Sequence, residues 1–257
     1  MVELPGTRQV EHVMGMPVIV DVRDEEIGQA LLDSVFRWLR WVDATFSTFS
    51  ADSEISRLGR GELLPADAHP EVRAVLARCE ELRVETGGYF DARAVSRSLP
   101  DPSGLVKGWA VDRAAAILER AGARNFAVNA GGDMWLRGRA VPASGWRVGI
   151  QHPLRPDAVA RVIETGDLAV ATSSAYERGH HVVDPHTGRP PSGIHSVTVT
   201  GPELATADAY ATAAFAMGAP RALHWTARLR GYEALAILAD GRVLSTPGFP
   251  EPAEAAA

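Results

Sequence analysis

Beyond Gly122 the chain breaks into short apolar pieces punctuated by glycine, proline and aspartate, and this most narrowly limits the fold. Phe126–Asn129, Met134–Leu136, Trp146–Ile150, Val159–Ile163, Leu168–Ala171, His181–Val183 and Ser196–Thr200 each read as a strand bounded by turn residues. Helices over about Ala205–Met217 and Pro220–Leu229 follow, then strands at Ala234–Leu238 and Val243–Leu244. Upstream, Val10–Val22 reads as a strand broken at Gly15 and Pro17. Ile27, Leu31, Val35, Leu39 and Val42 form a helical stripe within Glu25–Val42, and Phe46–Ser56 reads as a polar loop. A helix over Pro70–Thr86 starts on proline and stops at Gly87-Gly88, and another runs from Trp109 to Arg120. Strands and helices that do not alternate regularly indicate an α+β fold, with mixed or antiparallel sheets flanked by helices, rather than a doubly wound sheet. No repeat or linker is visible, so residues 1–248 read as one domain, with a two-lobed split near Ala140 as the alternative. The Pro/Glu/Ala-rich stretch 249–257 reads as a disordered tail.

Charge and composition exclude some classes of function. A formal charge of −6 and a pI near 5.8 argue against a non-specific nucleic-acid binder. A single cysteine, Cys79, excludes an internal disulfide or a cysteine metal cluster, and its helical setting reads as core. No stretch approaches the roughly 18 unbroken apolar residues of a membrane span. The first residues show neither a signal peptide nor a lipid-accepting cysteine, which sets cytoplasmic as the expected location.

Several segments carry chemistry-bearing groups. Asp208 and Thr212 stand four apart on a predicted helix, hence on one face, and two hard oxygen donors so placed suit Mg²⁺. Such pairs are common as solvated or capping residues. Here, however, the neighbours are almost all alanine, which predicts a buried Asp208 in need of a partner. Lys107, the only lysine of the chain, lies in Asp101-Pro-Ser-Gly-Leu-Val-Lys-Gly108. Read as a loop before the Trp109 helix, with Asp112 in that helix's first turn, the segment is either a surface loop or an anion site. Asn129-Ala-Gly-Gly-Asp133 reads as a tight turn. Residues 171–188 are rich in hydroxyls and histidines but contain neither a Gly-x-Ser-x-Gly elbow nor a His-Glu-x-x-His zinc pattern. Aromatics beside small polar groups at Thr45–Glu54 and Gly87–Asp91 suit a planar ligand or a core edge equally.

The ordered series Met14-Gly15, Phe46-Ser-Thr-Phe49, Asp52-Ser-Glu54, Gly88-Tyr-Phe-Asp91, Asp101…Lys107-Gly108…Asp112, Gly131-Gly-Asp133, Thr172-Ser173, His181-Val-Val-Asp-Pro185, Thr187-Gly188 and Ala207-Asp208…Thr212 resembles the ApbE family of FAD:protein FMN transferases. The resemblance covers roughly residues 10 to 220. It implies a T-fold-like α+β domain and a Mg²⁺-dependent enzyme. That enzyme would cleave FAD, attach FMN through a phosphoester to a Thr or Ser in a flavinylation motif of an acceptor protein, and release AMP. By motif match, Asp208, Thr212 and the Gly104 carbonyl would hold Mg²⁺. Met14, Phe49, Tyr89, Phe90, Asp91, Asp101, Lys107 and Val182 would line the FAD site. Lys107 would add positive charge, and His181 would act as general base or as a structural residue. Phe49 stands where tyrosine is frequent, Gly104 where alanine or threonine is usual, and Ser174 where glycine often follows Thr-Ser. An FAD pyrophosphatase releasing FMN and AMP, or a non-catalytic flavin binder, would use the same pocket.

Overall fold

The computed structural model describes residues 5–94, 96, 99–174 and 182–253. Its centre is an eight-stranded sheet, antiparallel at every pairing: β1 (Thr7–Val13), β2 (Met16–Val22), β3 (Phe126–Ala130), β4 (Asp133–Arg137), β7 (Leu168–Ser174), β8 (Ile194–Gly201), β9 (Glu233–Leu238) and β10 (Val243–Ser245), in that spatial order. Strands β5 (Trp146–His152) and β6 (Arg155–Thr165) form a separate hairpin. The helices are α1 (Gln29–Phe46), α2 (Glu54–Gly59), α3 (Pro70–Glu85), α4 (Ser103–Arg120), α5 (Leu204–Met217) and α6 (Arg221–Thr226). The α+β class expected from the sequence is the observed one. Strands β4 and β7, on either side of residue 140, are hydrogen-bonded neighbours in this sheet.

Period-2 alternation sorts the strand residues between two cores. Along β9, Ala234, Ala236 and Leu238 face the helices, whereas Leu235 and Ile237 face the β5–β6 hairpin with Trp146, Val148 and Ile163. In β7, Ala169 and Ala171 take the helical side and Val170 the other. Alanines on this sheet face meet the alanines of α5, and the pairing of small residues lets that helix lie close against β7 and β8. Helix α5 is apolar nearly all round and accordingly buried.

Three expectations change. Helix α4 begins at Ser103, not Trp109, because Asp101 Oδ1 accepts the Ser103 N–H at 3.0 Å and so starts the helix earlier. Gly104 and Gly108, which read as loop residues, lie inside it. A methyl group at Gly108 would come 2.5 Å from the Leu204 carbonyl oxygen, so glycine there allows α5 to touch the α4 backbone. Lys107 therefore projects from a helix, and Asp112 lies beyond its first turn. In the second change, the polar loop expected at 46–56 is shorter, running from 47 to 53: Phe46 ends α1, and α2 starts at Glu54, capped by Ser53 Oγ accepting the Ser56 N–H. Finally, residues 249–253 are not a free tail. Phe249 is buried in the hairpin core, and the Ala253 N–H donates to the Val162 carbonyl, because one aromatic anchor outweighs a composition that otherwise favours disorder.

The β1–β2 turn carries a strained residue. Met14 has φ 56° and Gly15 φ 73°, the left-handed pair of a two-residue hairpin turn, where Asn-Gly is favoured and methionine is not. Met14→Asn is expected to raise stability by roughly 1 kcal/mol in urea titrations. The family resemblance assigns Met14 to the FAD site as well, so weaker FAD binding by the more stable variant is the second half of that expectation.

Candidate active site

One end of the sheet collects the chemical groups. The β1–β2 turn, the Gly131-Gly132 turn between β3 and β4, and the C-terminal end of β7 all lie there. The register Val18↔Ala130 and the Thr172 N–H to Asp133 Oδ1 bond at 2.9 Å fix this arrangement. Helices α4 and α5 cross it in opposite directions, contributing one residue per turn to a ladder. Gly104 faces Thr212, Lys107 faces Asp208, Gly108 faces Leu204, and Asp112 reaches the start of α5.

Lys107 Nζ lies 2.5 Å from Asp133 Oδ2 and 3.7 Å from Asp208 Oδ1. Both carboxylates are almost wholly buried, Asp133 at 2% and Asp208 at 3% exposure. One ammonium is thus shared by two carboxylates that water does not screen. Beside them, Thr212 Oγ1 shares a hydrogen bond with Ser173 Oγ at 3.2 Å, and Ser174 Oγ is buried with no hydrogen-bond partner among the described residues. A methyl group at Gly104 would lie 3.6 Å from Thr212 Oγ1 and 3.2 Å from the Phe90 ring. Buried carboxylate and hydroxyl oxygens, with no sulfur among these groups, fit a hard cation such as Mg²⁺.

The structure brings Phe90, Gly104, Lys107, Asp208 and Thr212 into one cluster. Tyr89 stands next to it, its hydroxyl accepting from Arg221 Nη1 at 2.6 Å and its ring edge-on to His186, whose Nε2 meets the Gly87 carbonyl at 3.0 Å. Beside Tyr89 opens a groove of about 730 Å³ lined by Glu85, Met217, Arg221, His224 and Trp225 among others. Asp91 accepts the Arg93 N–H, and the Asp101 N–H donates to the Ala92 carbonyl. Val182 packs partly buried on the main core. Met14 occupies its turn, and Phe49 is 98% exposed on the loop between α1 and α2, with no contact to the cluster among the described residues. His181 lies outside the described residues, as does the first residue of the strand expected at His181–Val183; Val182 and Val183 are not in a strand.

Sequence reasoning missed the role of Asp133. In the sequence it marks the end of a glycine turn and a step in the motif series, without a role; its contact with Lys107 joins β4 to α4 across the fold. Asp112 was missed too. Its Oδ1 and Oδ2 accept the N–H groups of Leu204 and Ala205 at 2.9 and 2.8 Å, capping α5, which has no side-chain cap of its own. Burial pushes the Asp112 carboxyl up to about 6; those two bonds oppose the shift and the charge of Glu203 adds to it. An acid whose folded value is raised stabilises the fold most below its unfolded value of about 3.9, and that contribution is lost as pH rises through about 6. The unfolding free energy of the protein minus that of Asp112→Ala should therefore fall between pH 4 and pH 6 and level off above pH 7.

The profile of the ApbE family matches residues 14–98 and 96–236. A FAD:protein FMN transferase of Vibrio cholerae serotype O1 is 33% identical over 178 residues, covering 64% of this chain and 52% of that protein, so the chain spans about half that relative's length. A Haemophilus influenzae protein of the same name is 26% identical over 248 residues, covering 72% of each. Among solved structures, the flavin transferase ApbE from Vibrio cholerae superposes with a TM-score of 0.83 at 24% identity, over 95% of this chain and 97% of that one. The ApbE protein of Thermotoga maritima does so with a TM-score of 0.83 at 23% identity, over 95% and 97%. Those structural likenesses concern the fold, whereas the family profile runs through the turn, helix and strand segments that build the cluster. This chain belongs to the ApbE family.

Proposed function

We propose that this protein is a FAD:protein FMN transferase. The observation that carries the reading is the convergence of Lys107, Asp133, Asp208 and Thr212 at one end of the sheet, in a chain of this family. FAD binds with its pyrophosphate toward Lys107. Tyr89, Phe90, Asp91, Asp101, Met14, Phe49 and Val182 surround the dinucleotide, and the groove beside Tyr89, with Trp225 and Arg221, has the size and lining for one of its halves. Asp208, Thr212 and the Gly104 carbonyl are the groups that would hold Mg²⁺, which when bound supplies Lewis-acid stabilisation of charge on the pyrophosphate.

In the reaction, a Thr or Ser hydroxyl of the acceptor attacks the phosphorus on the FMN side. The P–O bond to the adenylate half breaks, AMP leaves, and the hydroxyl proton passes to a base, a role assigned to His181. Lys107, fixed by Asp133, holds its charge beside the pyrophosphate rather than swinging toward solvent. Incubation with FAD, Mg²⁺ and a peptide bearing a flavinylation motif tests the reading. Covalent flavin fluorescence on the peptide, lost with EDTA, supports it. Free FMN and AMP with an unlabelled peptide identify a pyrophosphatase, and tight FAD binding without turnover identifies a binder. For His181, unchanged transfer by His181→Asn at every pH removes it as the base.

A further inference from the structure

Helices α4 and α5 supply every group assigned to the cation, so the register between the two helices sets where those groups stand. Their antiparallel ladder has two ends. At one end stand Gly104 and Thr212; at the other, Asp112 holds the first two N–H groups of α5. Helix α5 starts on Glu203, which makes no side-chain cap, and has no acidic residue in its first turn, so a neighbouring helix supplies what its own sequence does not. The Leu204 carbonyl presses onto the Gly108 backbone between these two ends. A carboxylate spanning two N–H groups fixes both the rotation and the advance of the helix it caps. A shift of α5 relative to α4 would move Asp208 and Thr212 together.

We infer that Asp112 is a positioning residue for the metal site: by gripping the start of α5 from α4, it sets the helix register that presents Asp208 and Thr212 to the cation. The inference rests on the metal-site reading above. Asp112 itself touches neither substrate nor cation. It works as outer-shell partners do, through the geometry of residues it orients, and loss of such partners typically weakens metal binding about 10–100-fold.

In Asp112→Asn the amide places an NH₂ group against one of the two backbone N–H donors, so that bond becomes a repulsion. Asp112→Glu keeps both acceptors but lengthens the strut by one methylene. Binding of Mn²⁺, followed by loss of the free-ion EPR signal with and without FAD, gives a readout independent of transfer. The Asn variant is expected to bind Mn²⁺ at least ~10-fold more weakly, and the Glu variant to fall between it and the parent protein. A merely structural cap would lower the melting temperature and leave Mn²⁺ affinity unchanged, which overturns the inference. Should the Asn variant not fold, the Glu variant decides alone, and parental affinity there overturns it as well. Asp208→Ala is run alongside: if it too binds Mn²⁺ as the parent does, the metal-site reading itself fails. If it loses the ion while both Asp112 variants keep it, only the register inference fails.

Discussion

Asp208→Ala is expected to reduce Mg²⁺-dependent FMN transfer by roughly 10³-fold or more, the equivalent of several kcal/mol of transition-state stabilisation, while the protein remains folded. The fold survives because of the charge arrangement. Asp208 is the second carboxylate on Lys107, and its loss leaves the 2.5 Å pair with Asp133 balanced one to one. The change removes few atoms, and α5 keeps its alanine contacts with β7 and β8. Transfer to a labelled peptide measures the first expectation, and a urea titration near the parental midpoint checks the second. Transfer at the parental rate would show that the cation, if used, is held elsewhere.

Lys107→Ala should behave in the opposite way and damage the fold as well as the activity. Removing the ammonium takes away the cation that Asp133 and Asp208 share, both carboxylates lying at or below 3% exposure. Breaking a buried pair by deleting one partner costs about 3–5 kcal/mol, a large share of the roughly 5–15 kcal/mol that holds a typical domain together. A sharp fall in the urea midpoint is expected, together with loss of transfer. The double variant Lys107→Ala/Asp133→Ala should recover much of the stability without the activity, because it removes one of the stranded charges. If Lys107→Ala unfolds at the parental midpoint, water reaches these carboxylates and the buried-charge account fails. Taken together, the two substitutions separate a carboxylate needed for chemistry from an ammonium that serves chemistry and stability alike.

Strand and helix positions were largely legible because each element carries its own pattern. The alternation along β9, the stripe of α1 and the Pro-to-Gly span of α3 are local signals, and the elements lie where those signals put them, to within a few residues. The start of α4 was misread for a local reason with a distant cause. Gly104 and Gly108 are poor helix residues; at Gly108 the Leu204 carbonyl comes too close for a side chain, whereas at Gly104 a methyl group would meet the Phe90 ring at 3.2 Å and Thr212 at ordinary contact distance. Glycine that breaks a helix and glycine that admits a neighbour look the same in a sequence. The tail illustrates the converse, since Phe249 had no visible partner until Trp146 and Ile163 were brought beside it.

For the site, the sequence by itself determined the α+β class, the four-residue spacing of Asp208 and Thr212 on an alanine-rich helix, and the ordered motifs that mark the family. Those follow from periodicity and word order along the chain. Only the tertiary structure decided that Lys107 is shared between Asp133 and Asp208, that Ser173 joins Thr212, and that Asp112 caps a helix far away in sequence. Each of these contacts joins segments that no local pattern couples. The energy that fixes them, the cost of burying charge and unpaired N–H groups, exists only once the sheet and the two helices have closed over them.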